Sequence, residues 1–222
     1  MGTGTEDGGK EMVSSDSFYI GVKWCAWMVG ALLCLCALVP AHSLQSDLTG
    51  LEESGQIVVN GRSTPYLIRH LPTSSFPQLP PAVQDLLNSR GCLIPQTYEA
   101  HRPENVIHAS LERPGSSDWA VLCSVKGTVS LLVFLGSNAT QPFLLASAPE
   151  TERLQAQGAD GSLGFNWGIN SASPRQIHDA QAGMDPRPPL VDHDAVADSV
   201  IDQQTVYHFY SKGAWTLLAT SN

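Results

Sequence analysis

The sequence predicts an α+β fold, a mainly antiparallel sheet built from hairpins with one principal helix packed on one face. Three observations lead there. β-rich runs sit next to one another across short turn signals, at Asn60-Gly61, Lys126-Gly127 and Ser211–Ala214. Only one segment carries a well-bounded helical pattern, and helices do not alternate with strands as a parallel sheet would require. No repeat recurs at the 20–50-residue periods of solenoids or propellers.

Taken in order, Gln56–Arg62 (QIVVNGR) reads as a strand ending in a turn, with Tyr66–His70 (YLIRH) as its partner. A proline-rich link follows. Pro80 and Pro81 suit a helix entry, and the next residues place Val83, Leu86 and Leu87 on one face before Gly91 stops the helix. Asn105–Glu112 alternates, with Val106, His108, Ser110 and Glu112 on one face and Ile107, Ala109 and Leu111 on the other. Trp119–Val125 and Thr128–Leu135 form a hairpin, and the continuous apolar run in the second predicts a central strand covered on both faces. Pro142–Ala146 adds a neighbour, and Leu163, Phe165 and Trp167 suggest a short strand in a Gly-rich region. Asp192–Asp198 is expected as a short helix. Val206–Tyr210 and Trp215–Ala219 close the chain as a hairpin.

Residues 24–41, WCAWMVGALLCLCALVPA, form an uncharged apolar run after Lys23. Broken by Pro40, the run is short for a span of about 20 residues, and Ala41 and Ser43 are small residues at the positions that signal peptidase reads. The expected organisation is an export signal over 1–43, a tether over 44–54 and one extracytoplasmic domain over 55–222, periplasmic or secreted. An uncleaved anchor through residues 24–41 is the alternative. Glu6, Asp7, Glu11 and Asp16 against two lysines make an unusual leading region; a start at Met12 in place of Met1 would remove three of the four acids.

Residues 44–222 keep ten of the twelve Lys and Arg and seventeen of the twenty-one acids, a net charge of −7. The cations are scattered singly, which excludes the clustered basic surface that binding a polyanion needs, so no nucleic-acid partner is expected. Membrane contact is expected only through the N-terminal segment. Of five cysteines, three lie in the apolar run, leaving Cys92 and Cys123 in the domain. In an oxidising compartment two cysteines suggest one disulfide, which over a loop of about 30 residues contributes roughly 3–4 kcal/mol in the chain-entropy picture. Two separate buried thiols are the alternative.

Asp192-His193-Asp194 sets an imidazole between two carboxylates, the residue types of a metal ligand set or a proton-transfer site. Its spacing argues otherwise, since neighbouring residues diverge on a strand and on a helix alike, and an Asp cap for the following element is the plainer reading. His101, His108, His178 and His208 stand alone. No Gly-x-Ser-x-Gly elbow is present, and Gly158, Gly161 and Gly164 lack the strand-to-helix context of a phosphate loop. Tyr207, Phe209, Trp215 and Trp119 are enough aromatics to line a shallow binding surface.

Gly91-Cys92-x-Ile94-Pro95-Gln96, Asn105-Val106-Ile107, Asp118-Trp119-Ala120-Val121-Leu122-Cys123, Tyr207-x-Phe209 and Gly213-x-Trp215 together resemble a group of small exported bacterial proteins with no assigned activity. The likeness covers about residues 80–222 and implies only that Cys92 and Cys123 recur as a pair. The functional expectation is a non-enzymatic envelope or secreted module that binds a protein, glycan or small ligand and needs no cofactor. The competing expectation is a periplasmic hydrolase or metal-dependent enzyme centred on Asp192, His193 and Asp194. A deep pocket with three or more converging polar side chains would count heavily against the non-enzymatic module.

Overall fold

Three two-residue turns with both residues at positive φ set the hairpins: Asn60 (52°) with Gly61 (77°), Lys126 (51°) with Gly127 (76°), and Lys212 (53°) with Gly213 (83°). That geometry matches the right-handed twist of the strands it joins. The computed structural model describes residues 51–137, 140–157 and 161–220; the apolar run at 24–41 lies outside them. Among the described residues no helix is long and apolar enough to cross a membrane.

The chain runs β1 (Leu51–Val59), β2 (Arg62–Pro72), α1 (Pro81–Ser89), β3 (Leu93–Gln96), β4 (Val106–Ala109), β5 (Asp118–Val125), β6 (Thr128–Phe134), β7 (Phe143–Pro149), β8 (Leu154–Ala156), β9 (Leu163–Phe165), β10 (Trp167–Ala172), α2 (Pro174–Ala180), β11 (Ala195–Val200), β12 (Gln204–Ser211) and β13 (Ala214–Leu218). A large sheet has the order β7-β6-β5-β3-β2-β9-β8, with β1 paired to β2 and β4 to β5; a smaller one runs β10-β11-β12-β13. The pairings are antiparallel except for β2 with β9. The fold is thus mostly β with two helices, as the α+β prediction anticipates at that level.

Strand periodicity distributes the apolar residues over three cores. Trp119, Val121 and Cys123 of β5, with Leu132 and Phe134 of β6, face α1 and its Val83 and Leu87. The intervening Ala120, Leu122, Val129, Leu131 and Val133 face the second sheet, where they meet Trp167, Ile169 and Val196. Ala195, Ala197 and Phe209 on that sheet's far face cover Ile177 of α2. The order of layers is helix, sheet, sheet, helix, and β5 and β6 are buried on both faces, as the apolar run predicts. Cys92, just after α1, is bonded to Cys123 of β5, with Cα atoms 5.4 Å apart.

Asn105 ties the sheets together. Its side chain donates to Pro95 O (2.7 Å) and Trp167 O (3.2 Å) and accepts from Ile169 N (3.0 Å), while its carbonyl accepts from Leu122 N. Asp118, fully buried, accepts from Leu111 N, Glu112 N and Gly136 N at 2.7–2.8 Å and so holds the loops at one end of β5.

Several expectations are corrected. A second helix, α2, packs on the smaller sheet, so a single principal helix does not describe the molecule; its start is a capping box between Ser173 and Gln176. Asp192–Asp198 is not a short helix, because Ala195–Val200 is β11, paired on both sides. Leu163, Phe165 and Trp167 belong to two strands in different sheets, β9 and β10, with Asn166 between them. β1 begins at Leu51, inside the stretch read as a tether.

Leu87 has no exposed surface, and truncating a core leucine costs about 2–5 kcal/mol. Leu87→Ala is expected to lower the unfolding free energy of the oxidised protein by that amount in urea denaturation, with an unchanged m-value.

Candidate functional site

The Asn60-Gly61 turn fixes the register of the first hairpin and with it the site. A two-residue loop there sets Glu53 opposite Ile68, Leu51 opposite His70 and Gly55 opposite Tyr66. Directly paired residues share a face, as do residues two apart on one strand. Glu53 therefore stands on the same face as His70. Gly55 suits this register: a Cβ there would lie 2.7–2.8 Å from the distal atoms of the Tyr66 ring, so a larger residue would push the ring aside.

His70 is the polar member of an inward series, after Tyr66 and Ile68. Its side chain is 4 % exposed, and its Nε2 lies 2.7 Å from Glu150 Oε1, whose side chain is 2 % exposed. Glu150 follows β7 in a single 3-10 turn, Glu150–Glu152, held by Glu150 N donating to Gly127 O (2.9 Å). Burial is the largest influence on the Glu150 carboxyl and opposes its ionisation. The hydrogen bond from His70, the Ser124 hydroxyl and the charge of His70 together outweigh burial and hold the carboxyl below the usual glutamate range. The carboxylate is therefore the acceptor and the Nε2–H the donor. Glu150 Oε2, fully buried, makes no hydrogen bond. Ser124 thus acts on this carboxylate without supplying a well-formed bond to its second oxygen.

A cavity of about 310 Å³ opens in front of this pair, lined by Leu51, Glu52, Glu53, His70, Gly91, Leu93, Ser124, Lys126 and Gly127. Strands β1, β2, β3 and β5 and the β5–β6 turn all contribute to it. One donor atom each from Glu53, His70 and Glu150 lie within 4.8 Å of one another, the one such group of three among the described residues. A second cavity of about 110 Å³ adjoins Glu52, Arg69, Gln96 and Tyr98.

The residues singled out from the sequence are placed elsewhere. His193 Nδ1 contacts Asp192 Oδ1 (2.6 Å), its Nε2 contacts Tyr210 O (2.9 Å), and its ring stacks on Phe209. Both ring nitrogens already contact oxygen atoms, so neither points into open space where a metal could sit. Asp194 accepts from Ser110 N and joins β11 to the segment after β4. His208 bonds Asp198, which also accepts from the Trp167 indole (2.6 Å). His108 stacks on Trp119 and meets Ser117 Oγ at 2.8 Å.

The four aromatics do not form one surface. Trp119 lies in the core under α1, Tyr207 and Phe209 pack in the core of α2, and Trp215 packs beside the inter-sheet core with Phe143 and Tyr210 around it. Cys92 and Cys123 form the disulfide as the paired reading anticipates.

Comparison with protein-family models, with curated proteins and with solved structures returned no match to this chain.

His70, Glu150 and Glu53 were not singled out by pattern reading. The available signal was a histidine in the inward phase of an alternating strand, where a polar residue needs a partner. Glu53 was assigned to the tether and so had no strand register to place it.

Because Glu150 is held below its ordinary value when folded, the ionised pair favours the fold above the usual glutamate range. That contribution fades as the pH falls through the folded-state value. Wild type is expected to be more stable than Glu150→Gln at neutral pH, by up to the roughly 3–5 kcal/mol that breaking a buried pair costs. The gap should shrink as urea denaturation is repeated from about pH 7 down to about pH 3; a constant gap would exclude a charge-based contribution.

Proposed function

We propose that this chain is an exported, non-enzymatic binding module that works outside the cytoplasm, and that its ligand is a small molecule or ion held in the cavity in front of His70 and Glu150. The observation that carries this reading is the buried, hydrogen-bonded histidine–glutamate pair, whose His70 lines a cavity of about 310 Å³ while one oxygen of Glu150 behind it is unpaired. Burying a charged pair is costly unless its remaining hydrogen-bonding capacity is met. A bound group would meet it. Five polar or charged residues converge on this cavity, Glu52, Glu53, His70, Ser124 and Lys126. That convergence weighs against the non-enzymatic sheet face expected from the sequence and favours binding in a defined pocket.

Export is supported by the apolar run at 24–41 and by the Cys92–Cys123 bridge, which fits an oxidising compartment. A catalytic role centred on Asp192, His193 and Asp194 finds no support, since those side chains are engaged in tying β11 and β12 to their neighbours.

Fractionation of expressing cells with thiol alkylation before and after reduction tests the location. The chain is expected outside the cytoplasm, with Cys92 and Cys123 alkylated only after reduction; a cytosolic chain with both thiols free would overturn it. Native mass spectrometry of the exported wild type is expected to show a small non-covalent adduct that His70→Ala lacks. Equal adduct on both proteins would move the ligand out of this cavity.

A further inference from the structure

The cavity's chemistry narrows the ligand class, on the reading that the cavity is the binding site. We infer that Glu53, His70 and Glu150 form a site for a divalent transition cation of the zinc type, with the remaining coordination position open to the cavity.

The donor set comes first. One imidazole nitrogen and two carboxylate oxygens suit zinc and neighbouring first-row divalent ions, whereas calcium and magnesium prefer sites made only of oxygen. Their charge also complements a dication: the site carries two carboxylates, Glu52 adds a third acid at the rim, and Lys126 on the exposed turn is the one cation lining the cavity.

Distances are compatible. Donors about 2.1 Å from a common tetrahedral centre stand about 3.4 Å apart, and the three donor atoms here all lie within 4.8 Å of one another. The three donors differ in freedom. His70 and Glu150 are buried and held by backbone on both sides, while Glu53 is exposed on the outer strand. Closing the site therefore needs movement of the Glu53 side chain at the rim and, where Nε2 is the ligand, replacement by the cation of the proton that His70 shares with Glu150, with a small widening of their 2.7 Å separation.

The second observation is Glu150 Oε2. It is fully buried in a side chain only 2 % exposed, and it makes no hydrogen bond. An unpaired buried carboxylate oxygen is among the more costly defects a fold can hold. A cation seated among the three donors would occupy its lone pairs.

Three protein donors leave one position of a tetrahedral zinc free, and the cavity that holds Ser124 and Lys126 lies on that side. The arrangement can thus retain a water or a small anionic group on the cation. Competing clusters fare worse: both ring nitrogens of His193 already contact oxygen atoms, whereas only one of His70 does among the described residues, and Asp198 with His208 has one carboxylate already shared with Trp167.

The test is zinc titration of the chelator-treated full chain by isothermal calorimetry, with the disulfide intact. Wild type is expected to bind one zinc per chain, and calcium or magnesium at equal concentration should not displace it. Glu53→Gln removes an exposed donor without disturbing the core and is expected to weaken zinc at least about tenfold; Glu150→Gln should weaken it further. Asp192→Asn should bind as wild type does. The inference fails if wild type takes up no stoichiometric zinc, if Glu53→Gln and Glu150→Gln both bind unchanged, or if Asp192→Asn is the variant that loses the metal. A small organic adduct retained in native mass spectra with no zinc binding would sink the cation and leave the cavity standing as a binding site. Zinc binding by a chain found in the cytosol would support the cation site and sink the export reading.

Discussion

Everything in this fold depends on β5 and β6 being apolar on both faces. Their odd and even residues feed two different cores, one under α1 and one against the smaller sheet, so the hairpin is the shared wall between them. Burial on both faces excludes water from the ladder and leaves backbone pairing as the only outlet for its polar groups. The rest is arranged around that wall: Cys92 is bonded to it, Asn105 bridges from it to β10, and Asp118 closes its end. The third core, between the smaller sheet and α2, is built largely of alanines with Ile177 and Phe209 and so brings its helix in close.

The cavity sits where this wall stops being apolar. Ser124 is the penultimate residue of β5, β3 pairs with it through Leu93, and the turn at Lys126-Gly127 anchors Glu150. A polar pair can be buried at that point because each partner comes from a different element already held by backbone hydrogen bonds. Neither His70 nor Glu150 orders its own segment; each occupies a position the sheets have set. That is the arrangement in which a buried ionic pair gains geometry at little further entropic cost.

Local rules made the hairpins legible. Asn60-Gly61, Lys126-Gly127 and Lys212-Gly213 each announce a turn, and the alternation around Ile107 and Leu111 sorts those residues to their observed sides. The limits of α1 were equally clear from Pro81 and Gly91. What escaped was whatever depends on distant pairing. Asp192–Asp198 has a helical look, yet Val196 and Ala197 are claimed by strands on either side, and tertiary pairing outweighs a weak local preference. Pro174–Ala180 did carry a local sign, Ser173 with Gln176, that was passed over. The candidate site was hidden because its three donors span nearly a hundred residues and no motif links them. The aromatic residues misled for a simple reason: on a strand in a layered fold, both faces lead inward.

The first hairpin matters in this picture for what it selects. The first strand carries two adjacent glutamates, and strand geometry allows just one of them to look toward His70. Sliding the strand by a single residue would present the other acid instead, so charge alone could not tell the two alignments apart. The two-residue turn at Asn60-Gly61 can, and Gly55 leaves room for the Tyr66 ring in the alignment it sets. Residues that take part in no chemistry thus decide which carboxylate belongs to the pocket and which is left at its edge.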